Sequence, residues 1–393
     1  MRVKLMSSEF ERNLEKYAEV IVKVGLNLQP GQRLLIGAPR QSANGVSIEL
    51  APLVRLITKK AYQIGAKLVE VLWEDEQVRL IRFQHAPRDS FEEFPTWRTL
   101  ASFNISKEDD AMLLVAAGNP DLLTGQDSNL ILTTHKAYFK HNKPSADLRR
   151  RGIGNWSVFS APVTGWADKV FPDIPIADRK AKFWDVIFDI CRVKEKDPIA
   201  AWDEHIKQLG ARGNYLTRKK YSALKYIAPG TDLTIGLPDG HIWNSANMTT
   251  KSGITNTVNI PTEEIFTTPH KDKVEGVVTS TKPLPTEVLI DGLKLTFSEG
   301  RVIEVIATKG QKYLRQLLET DEGASRLGEV ALVPHSSPIS QLGMVFYNIL
   351  IDENASCHIA LGNGIRAGLE NGLEMSKEEF SAAGGNQCLF HID

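Results

Sequence analysis

The chain has 393 residues, of which 42% are hydrophobic, and its formal net charge is -1 because 47 Lys and Arg residues face 48 Asp and Glu residues. This length exceeds one typical hydrophobic core, so two domains are expected. Basic and acidic residues are interspersed, which argues against a nucleic-acid partner or an anionic membrane surface. The three cysteines have no Cys-x-x-Cys spacing and do not form the pattern of a disulfide framework.

The first residues, Met1 to Glu11, lack the apolar core of a signal peptide, and no stretch is apolar over the length of a membrane span. We therefore expect a cytoplasmic protein without a membrane partner.

The first half of the sequence alternates helical and extended patterns. Apolar residues recur at helical spacing from Phe10 to Leu26. The following segments are predicted in chain order: a strand over 33–37, a helix over 47–64, and strands over 67–72 and 110–116, then part of a helix over 130–139. This alternation is typical of βαβ units, and it predicts an α/β domain with a mainly parallel sheet.

The turn after the first predicted strand has no phosphate-binding motif. It runs from Gly37 to Arg40, without the Gly-x-Gly-x-x-Gly of dinucleotide sites, and the chain has no Walker-type loop. A nucleotide-binding or small-molecule-binding role of this domain therefore stays only an alternative hypothesis.

A charged run, 192–198, follows a helix predicted around Phe183 to Ile190, and we interpret it as a hinge between domains 1–198 and 199–393. Residues 203–226 are predicted to be helical. Short strands are then predicted over 231–237, 287–290, 293–297 and 301–307, with hairpin turns at Asp291-Gly292 and Glu299-Gly300 and a helix over 311–321. The second domain is therefore predicted to be α+β, with an antiparallel, barrel-like sheet.

Carboxylates and histidines lie within short apolar segments of this second domain. Such groups are costly to bury unless they are paired, and divalent cations are suitable partners. The candidate metal ligands are Glu263 in Pro-Thr-Glu-Glu, Glu329, Glu353, His358, His391 and Asp393. This set is sufficient for two metal ions.

The spacing constrains how these groups can be used. His391 and Asp393 are two residues apart and project from the same face of an extended strand. Glu263 and Glu264 are adjacent, so only one of them can point into the site in a strand. Glu353 and His358 fit neither one helix face nor one strand face, so the segment between them must bend if both bind metal.

Each group also has a purely structural explanation. Glutamates after Pro-Thr suit the first turn of a helix, a single His-x-Asp pair can lie on the surface, and Glu329 could face solvent. The combination of all these groups, rather than any one of them, favours a metal site.

Four segments together resemble the metalloaminopeptidases of family M29, the aminopeptidase T and aminopeptidase S group. These are 259–270 with Pro-Thr-Glu-Glu, 319–333 with Gly-Glu-Val-Ala-Leu, 352–362 with Glu353 and His358, and 391–393. The likeness also includes Lys169-Val-Phe-Pro172 and Leu237-Pro-Asp-Gly-His241, and it extends over nearly the whole chain.

The resemblance implies an N-terminal α/β domain, a C-terminal domain with two divalent ions (Zn, Co or Mg), a homodimer, and removal of N-terminal residues from peptides. The ligand set that it implies is Glu263, Glu329, Glu353, His358, His391 and Asp393, with Glu329 as the bridging ligand. The spacing between the two glutamate motifs favours Glu263 over Glu264.

Two positions depart from the family pattern. A tyrosine usually stands seven residues after the motif histidine, where this chain has Ile365. Loss of such a donor typically costs about 3 kcal/mol of transition-state stabilisation, roughly a hundredfold in rate. The family also has a Phe-Met-Ile-Gly-Ser stretch beyond the position of Asp393, and without a following strand we expect weaker metal binding at His391 and Asp393.

The expected reaction is hydrolysis of the N-terminal peptide bond by a water that two ions, about 3.5–4 Å apart, activate. Glu264 is the predicted general base that carries the proton to the leaving amine. Two alternatives stay open: a degenerate relative that binds metal or peptide without efficient hydrolysis, and a dipeptidase-type amide hydrolase.

Overall fold

The computed structural model describes residues 2–39 and 45–393, with side chains from residue 9 onward, so Arg40 of the turn discussed above lies outside it. In this part of the chain, no helix combines the length and apolar character needed to cross a membrane. The α-helices are α1 (Arg2–Val20), α2 (Ala51–Ile64), α3 (Glu76–His85), α4 (Thr96–Lys107), α5 (Ser128–Arg150), α6 (Thr164–Val170), α7 (Ile176–Ile190), α8 (Pro198–Lys219), α9 (Gln311–Leu318), α10 (Pro338–Gln341), α11 (Ile349–Asp352) and α12 (Lys377–Ala382).

The strands fall into sheets of different type. They are β1 (Arg33–Ile36), β2 (Val46–Ser47), β3 (Leu68–Val71), β4 (Trp73–Glu74), β5 (Ala111–Ala116), β6 (Trp156–Ser160), β7 (Ala223–Ala228), β8 (Thr231–Gly236), β9 (Asn247–Thr249), β10 (Thr255–Thr257), β11 (Asn259–Ile260), β12 (Ile265–Thr267), β13 (Val274–Thr279), β14 (Lys294–Ser298), β15 (Arg301–Ile306), β16 (Leu327–Leu332), β17 (His358–Gly362) and β18 (His391–Ile392).

The first half of the chain forms a five-stranded parallel sheet in the order β11-β6-β5-β1-β3. All six residues of β5 are buried, as expected for a parallel strand with both faces covered. Helices α1, α2 and α7 contribute to the apolar core on this sheet, with Tyr17, Ile57 and Phe183 fully buried. The predicted α/β architecture is confirmed.

One strand of this sheet comes from the second half of the sequence. Asn259 and Ile260 of β11 pair in parallel with Val158 and Phe159 of β6. The pairing carries the chain across the predicted boundary at residue 198, and the division into domains 1–198 and 199–393 stays a prediction.

In the described residues, the second half contains three antiparallel sheets, of which the smallest is the two-stranded pair β9 and β10. Five strands follow the order β15-β14-β13-β8-β7, and four follow the order β12-β16-β17-β18. The predicted α+β character with antiparallel strands is confirmed, while barrel closure stays a prediction. The turn at Glu299-Gly300 joins β14 to β15 as expected, with both residues at positive φ.

Several element predictions in this half are wrong. The helix predicted to Tyr226 ends at Lys219, because Lys220 adopts a left-handed conformation and Ala223–Ala228 pairs with β8. No strand forms over 287–290, where Glu287 is buried in ion pairs. Asp291-Gly292 is not a hairpin turn, since Asp291 bridges to Lys309. The unpredicted strand β13 is the partner of β14 instead.

Candidate metal centre

The four-stranded sheet explains which side chains meet. Ala331 of β16 lies opposite Phe266 on one side and His358 on the other. Because side chains alternate between the faces of a strand, Glu329, two residues before Ala331, shares this face with His358. Glu264 lies two residues before Phe266 and reaches the same face. The fold therefore brings residues that are distant in sequence onto one surface.

The fourth strand completes the surface. His391 of β18 lies opposite Gly362 of β17, on the face that His358 shares. Asp393 follows two residues later and projects the same way. His391 and Asp393 therefore project from the same face, as their two-residue spacing predicted.

The imidazoles contact the carboxylates directly. His358 Nε2 lies 3.0 Å from Glu264 Oε2, and His391 Nε2 lies 3.0 Å from Glu329 Oε2 and 3.3 Å from Asp393 Oδ1. Glu264, Glu329 and His358 form one group, and Glu329, His391 and Asp393 a second, each with its ligand atoms within 4.8 Å of one another. Glu329 belongs to both groups, which is the arrangement required of a bridging carboxylate.

Backbone carbonyls orient both rings. His358 Nδ1 lies 3.0 Å from the carbonyl oxygen of Ser356, and His391 Nδ1 lies 2.7 Å from that of Asn363. A ring that donates Nδ1–H to a carbonyl keeps the Nε2 lone pair for a cation, and this outer contact is common to metal-binding histidines. The two histidines are thus arranged as Nε2 ligands.

Glu353 borders the cluster without belonging to either group. The side-chain amides of Asn259 and Asn354 lie 3.3 Å and 3.5 Å from its Oε1. The bend expected between Glu353 and His358 is present, as a 3-10 turn over Glu353–Ala355. One oxygen of this carboxylate is therefore held by amides at the edge of the site.

Glu263 points away from the cluster, which differs from the predicted ligand set. Its Oε1 lies 2.6 Å from Arg192 Nη2, and its Oε2 lies 3.8 Å from His205 Nε2. Its backbone N–H donates to Asn354 Oδ1 at 2.6 Å. Both residues lie in the segment directly before β12, where adjacent side chains point to opposite sides, and Glu264 occupies the side of the histidines.

The electrostatics suit a cation. Burial raises the pKa of Glu329 to about 7, and burial with the neighbouring Asp393 and Glu264 raises that of Glu353 well above its usual range. Burial disfavours the charged form of His358, but Glu264, Asp393 and Glu329 together outweigh it and raise the pKa of this histidine well above normal. These carboxylates need a positive partner, and a proton or a metal ion can supply it.

The residues present fit a divalent metal. Glu264 Oε2 is buried and has no hydrogen bond of good geometry to the described residues, although it lies near His358 Nε2. Carboxylate oxygens and imidazole nitrogens are the ligand types that zinc and other divalent ions use in proteins. A cation at this point would neutralise buried charge and bind the orphaned oxygen.

Some residues around the site were not anticipated from the sequence. Arg192 and His205 contact Glu263, while Asn259 and Asn354 contact Glu353. In the sequence, the signal for Asn259 was its position two residues before the Pro-Thr-Glu-Glu motif. Arg192 and His205 are far away in sequence: His205 lies on α8, which packs on β12, and Arg192 follows the end of α7.

The comparisons with known proteins identify the family of the chain. A family model described as "Thermophilic metalloprotease (M29)" matches residues 10–393. Aminopeptidase 2 of Geobacillus stearothermophilus is 46% identical over 389 residues, covering 98% of this chain and 92% of that protein. Aminopeptidase T of Thermus thermophilus is 40% identical over 385 residues, with the same coverage of both chains.

The fold is also similar to a solved structure. Wild-type AmpT from Thermus thermophilus superimposes with a TM-score of 0.87 at 39% sequence identity, covering 98% of this chain and 92% of that chain. The similarity therefore extends over nearly the whole chain. This agreement confirms the resemblance seen in the sequence: the chain belongs to the M29 family of metalloproteases, and it is a peptide hydrolase.

Proposed function

We propose that the chain is an aminopeptidase that uses two divalent metal ions to hydrolyse the N-terminal peptide bond of peptides. The observation that carries this proposal is the pair of ligand groups that share Glu329 on one buried face. The relatives named aminopeptidases at 39–46% identity support the same reaction. Zinc, cobalt and magnesium are the candidate ions.

The proposed ligands follow the geometry. Glu264, Glu329 and His358 would hold one ion, and Glu329, His391 and Asp393 would hold the other, so that Glu264 replaces Glu263 in the predicted set. When bound, such a pair of ions supplies Lewis-acid polarisation of the scissile carbonyl and acidifies water. The side chains themselves fix the position of both charges in a buried setting.

Since Glu264 is assigned as a ligand, another group must move the proton. We assign this role to Glu353, which the sequence had placed among the ligands. Its Oε1 is held by Asn259 and Asn354. The carboxylate accepts a proton from the attacking water and delivers it to the leaving amine, as a general base and then a general acid.

The substrate class that we propose is peptides with a free N-terminus, cleaved by a cytoplasmic homodimer. Hydrolysis of leucyl and arginyl anilides before and after chelation tests the activity. N-acetylated anilides test the requirement for the free amine, dipeptides against longer peptides test the dipeptidase alternative, and sedimentation and cell fractionation test the dimer and its location.

The ligand assignment is tested by two adjacent substitutions of equal size. We expect Glu264→Gln to lose bound metal and hydrolysis together, because a neutral amide is a poor ligand for a divalent ion. Glu263→Gln should retain metal, with its effect limited to the contact with Arg192. Metal content after dialysis and kcat are the measurements, and Glu329→Ala is the reference for complete loss of both.

The opposite result, in which Glu263→Gln loses metal while Glu264→Gln retains it, would restore the ligand set predicted from the sequence. Full metal content and unchanged turnover in Glu329→Ala would refute the metal centre altogether.

A substitution of Glu353 tests whether this residue transfers the proton without binding metal. We expect Glu353→Gln to retain metal and substrate KM while kcat falls by about 10²–10⁴-fold, the usual range for loss of general acid–base catalysis. Metal analysis and steady-state kinetics on the same preparation provide the measurement. Loss of metal as severe as in Glu329→Ala would instead make Glu353 a ligand.

A further inference from the structure

A second concave site lies between the C-terminal end of α5 and the loops of the second half. It has a volume of about 290 Å³. Pockets for drug-sized ligands measure roughly 300–1,000 Å³, so this cavity suits a small ion or metabolite. None of its lining residues is a proposed metal ligand or the proposed general base.

The walls of this cavity carry more positive than negative side chains. The cationic residues are Lys143, Arg150, Arg151, Arg366 and Lys377. The acidic ones are Asp147, Asp321 and Glu322. An excess of cations around one concavity attracts anions and raises their local concentration.

The acidic residues are already engaged by other groups. Asp147 forms ion pairs with two cations: its Oδ2 lies 2.9 Å from Lys143 Nζ, and its Oδ1 lies 3.4 Å from Arg150 Nη1. Glu322 pairs at 2.9 Å with Arg301, which is not among the lining residues. One carboxylate therefore serves two of the cavity's cations, and another is directed elsewhere.

The third acidic side chain, Asp321, accepts hydrogen bonds from backbone amides. Asp321 Oδ1 accepts from Gly323 N at 3.0 Å, and its Oδ2 accepts from Leu389 N at 2.8 Å. Asp321 makes no ion pair with a side chain in the described part of the protein. The local charge balance consequently stays positive.

Arg366 gives the cavity a rigid cationic wall. Its side chain is buried, donates to the carbonyl oxygens of Gly372 and Met375 at 3.1 Å and 2.7 Å, and packs over the ring of Phe380. Carbonyl oxygens orient a guanidinium without neutralising it. Burial, and to a smaller extent the nearby Arg151, lowers the pKa of Arg366, while Asp147 acts in the opposite direction.

Two further cations stand at the exposed side of the cavity. Within the described residues, the side chains of Arg151 and Lys377 form neither an ion pair nor a hydrogen bond, and both are exposed. They can therefore turn toward an incoming anion without breaking an existing contact. Arginine and lysine together bind tetrahedral oxyanions well, by bidentate and point-charge contacts respectively.

We propose that this cavity is a binding site for a small, doubly charged phosphate group, either free inorganic phosphate or the phosphomonoester of a metabolite. The buried Arg366 and the half-buried Arg150 form the inner wall of the site, and Arg151 and Lys377 close on the anion from the solvent side. The site is separate from the metal centre, although Asn363 touches both: it lines the cavity, and its carbonyl oxygen accepts from His391.

The test is calorimetric titration of the metal-loaded protein with inorganic phosphate at constant ionic strength. We expect saturable binding that weakens at least tenfold in the double variant Arg151→Ala, Lys377→Ala. Lys107→Ala, an exposed lysine at the end of α4, is the matched control and should bind as the unchanged protein does. Glycerol phosphate in place of phosphate separates the two sources of the anion, since tighter binding indicates a metabolite ester.

Three results would overturn the proposal: no saturable binding, equal binding in the double variant, or equal weakening by Lys107→Ala. Equal binding in the double variant with loss of binding in the metal-free protein would show that phosphate occupies the metal centre instead. The two substituted side chains are exposed, so folding should be unaffected, and the single charge reversal Arg151→Glu provides a second variant for the same comparison.

Discussion

Adjacent glutamates take different roles because a strand alternates its side chains. Glu264 faces His358, and Glu263 faces Arg192 on the other side of the segment that leads into β12. The sequence showed that only one of them can enter the site. It could not show which one, because the answer depends on the register of β12 with β16, a contact between segments about sixty residues apart in the chain.

Ile365 is the residue at which this chain departs most clearly from its family pattern. We expect Ile365→Tyr to raise kcat, by up to about a hundredfold, because a hydroxyl at this position would add a hydrogen-bond donor for the developing oxyanion. Ile365→Phe adds the ring without the hydroxyl and should give no increase. Steady-state kinetics on leucyl anilide compare the three proteins.

An equal increase in the phenylalanine and tyrosine variants would assign the effect to ring packing rather than to the hydroxyl. If the unchanged protein has no measurable turnover and Ile365→Tyr gains it, the chain is a degenerate family member whose site is otherwise intact.

At the scale of elements, the pairing of β17 with β18 holds the second ligand group in place. Gly362 ends β17 at a φ of +99°, and a Cβ there would lie 2.4 Å from the carbonyl oxygen of Phe390. Only glycine permits this close approach of two backbones. His391 is paired opposite Gly362, so its position depends on that approach.

We therefore expect Gly362→Ala to weaken metal binding by about tenfold or more, equivalent to about 1.4 kcal/mol, and to lower the melting temperature. Gly343→Ala is the control, since Gly343 also has positive φ but has nothing within 4 Å of the added Cβ. Calorimetric metal titration of both variants is the measurement. Similar metal affinity in the two variants would contradict the role of Gly362.

Several elements of the first half were predictable because their signals are local. β1 and β5 are continuous apolar runs and α2 has a periodic apolar face, so all three were placed nearly correctly, whereas β6, α3 and α4 were not predicted. The second half was harder because its strands are short and half-exposed. β13 contains Gly276 at a φ of +114°, which weakens its strand pattern, and β7 begins only a few residues after α8, so its first residues were included in the predicted helix.

The candidate site was partly predictable for the same reason. His358, His391, Asp393 and Glu329 stand in compact motifs whose residue types indicate metal binding. Their assembly on one face, the separation of Glu353 from the two groups and the engagement of Glu263 by Arg192 arise from long-range contacts, which no local pattern encodes.

At the scale of the whole molecule, a buried polar network joins helices to the second half of the chain. His135 of α5 contacts Tyr313 Oη through Nδ1 at 2.6 Å and Glu287 Oε2 through Nε2 at 2.8 Å. Glu287 also pairs with Arg79 of α3. A neutral imidazole satisfies both contacts, with Nε2–H donated to Glu287 and Nδ1 accepting from Tyr313.

This network predicts acid sensitivity. Burial and the nearby Arg79 lower the pKa of His135 to about 3. Below about pH 6.5 the unfolded chain binds a proton that the folded protein does not, so the free energy of unfolding should fall as pH decreases from about 6.5 towards 3, with no contribution above this window.

For His135→Gln, we expect the loss of unfolding free energy between pH 7 and pH 5 to be about 2 kcal/mol smaller than in the unchanged protein. Urea unfolding at both pH values is the measurement. His85→Gln, at an exposed position, should keep the original pH dependence. Identical pH dependence in all three proteins would remove His135 as its source.

The short strand β11 has a consequence for recombination between relatives. Asn259 and Ile260 complete the parallel sheet of the first half, although they lie just before Glu264 of the metal centre. A chimera that joined residues 1–198 of this chain to the remainder of a relative would import a foreign edge strand into that sheet. Crossovers that move 259–260 together with β6 should yield well-folded hybrids more often than a single exchange at residue 198.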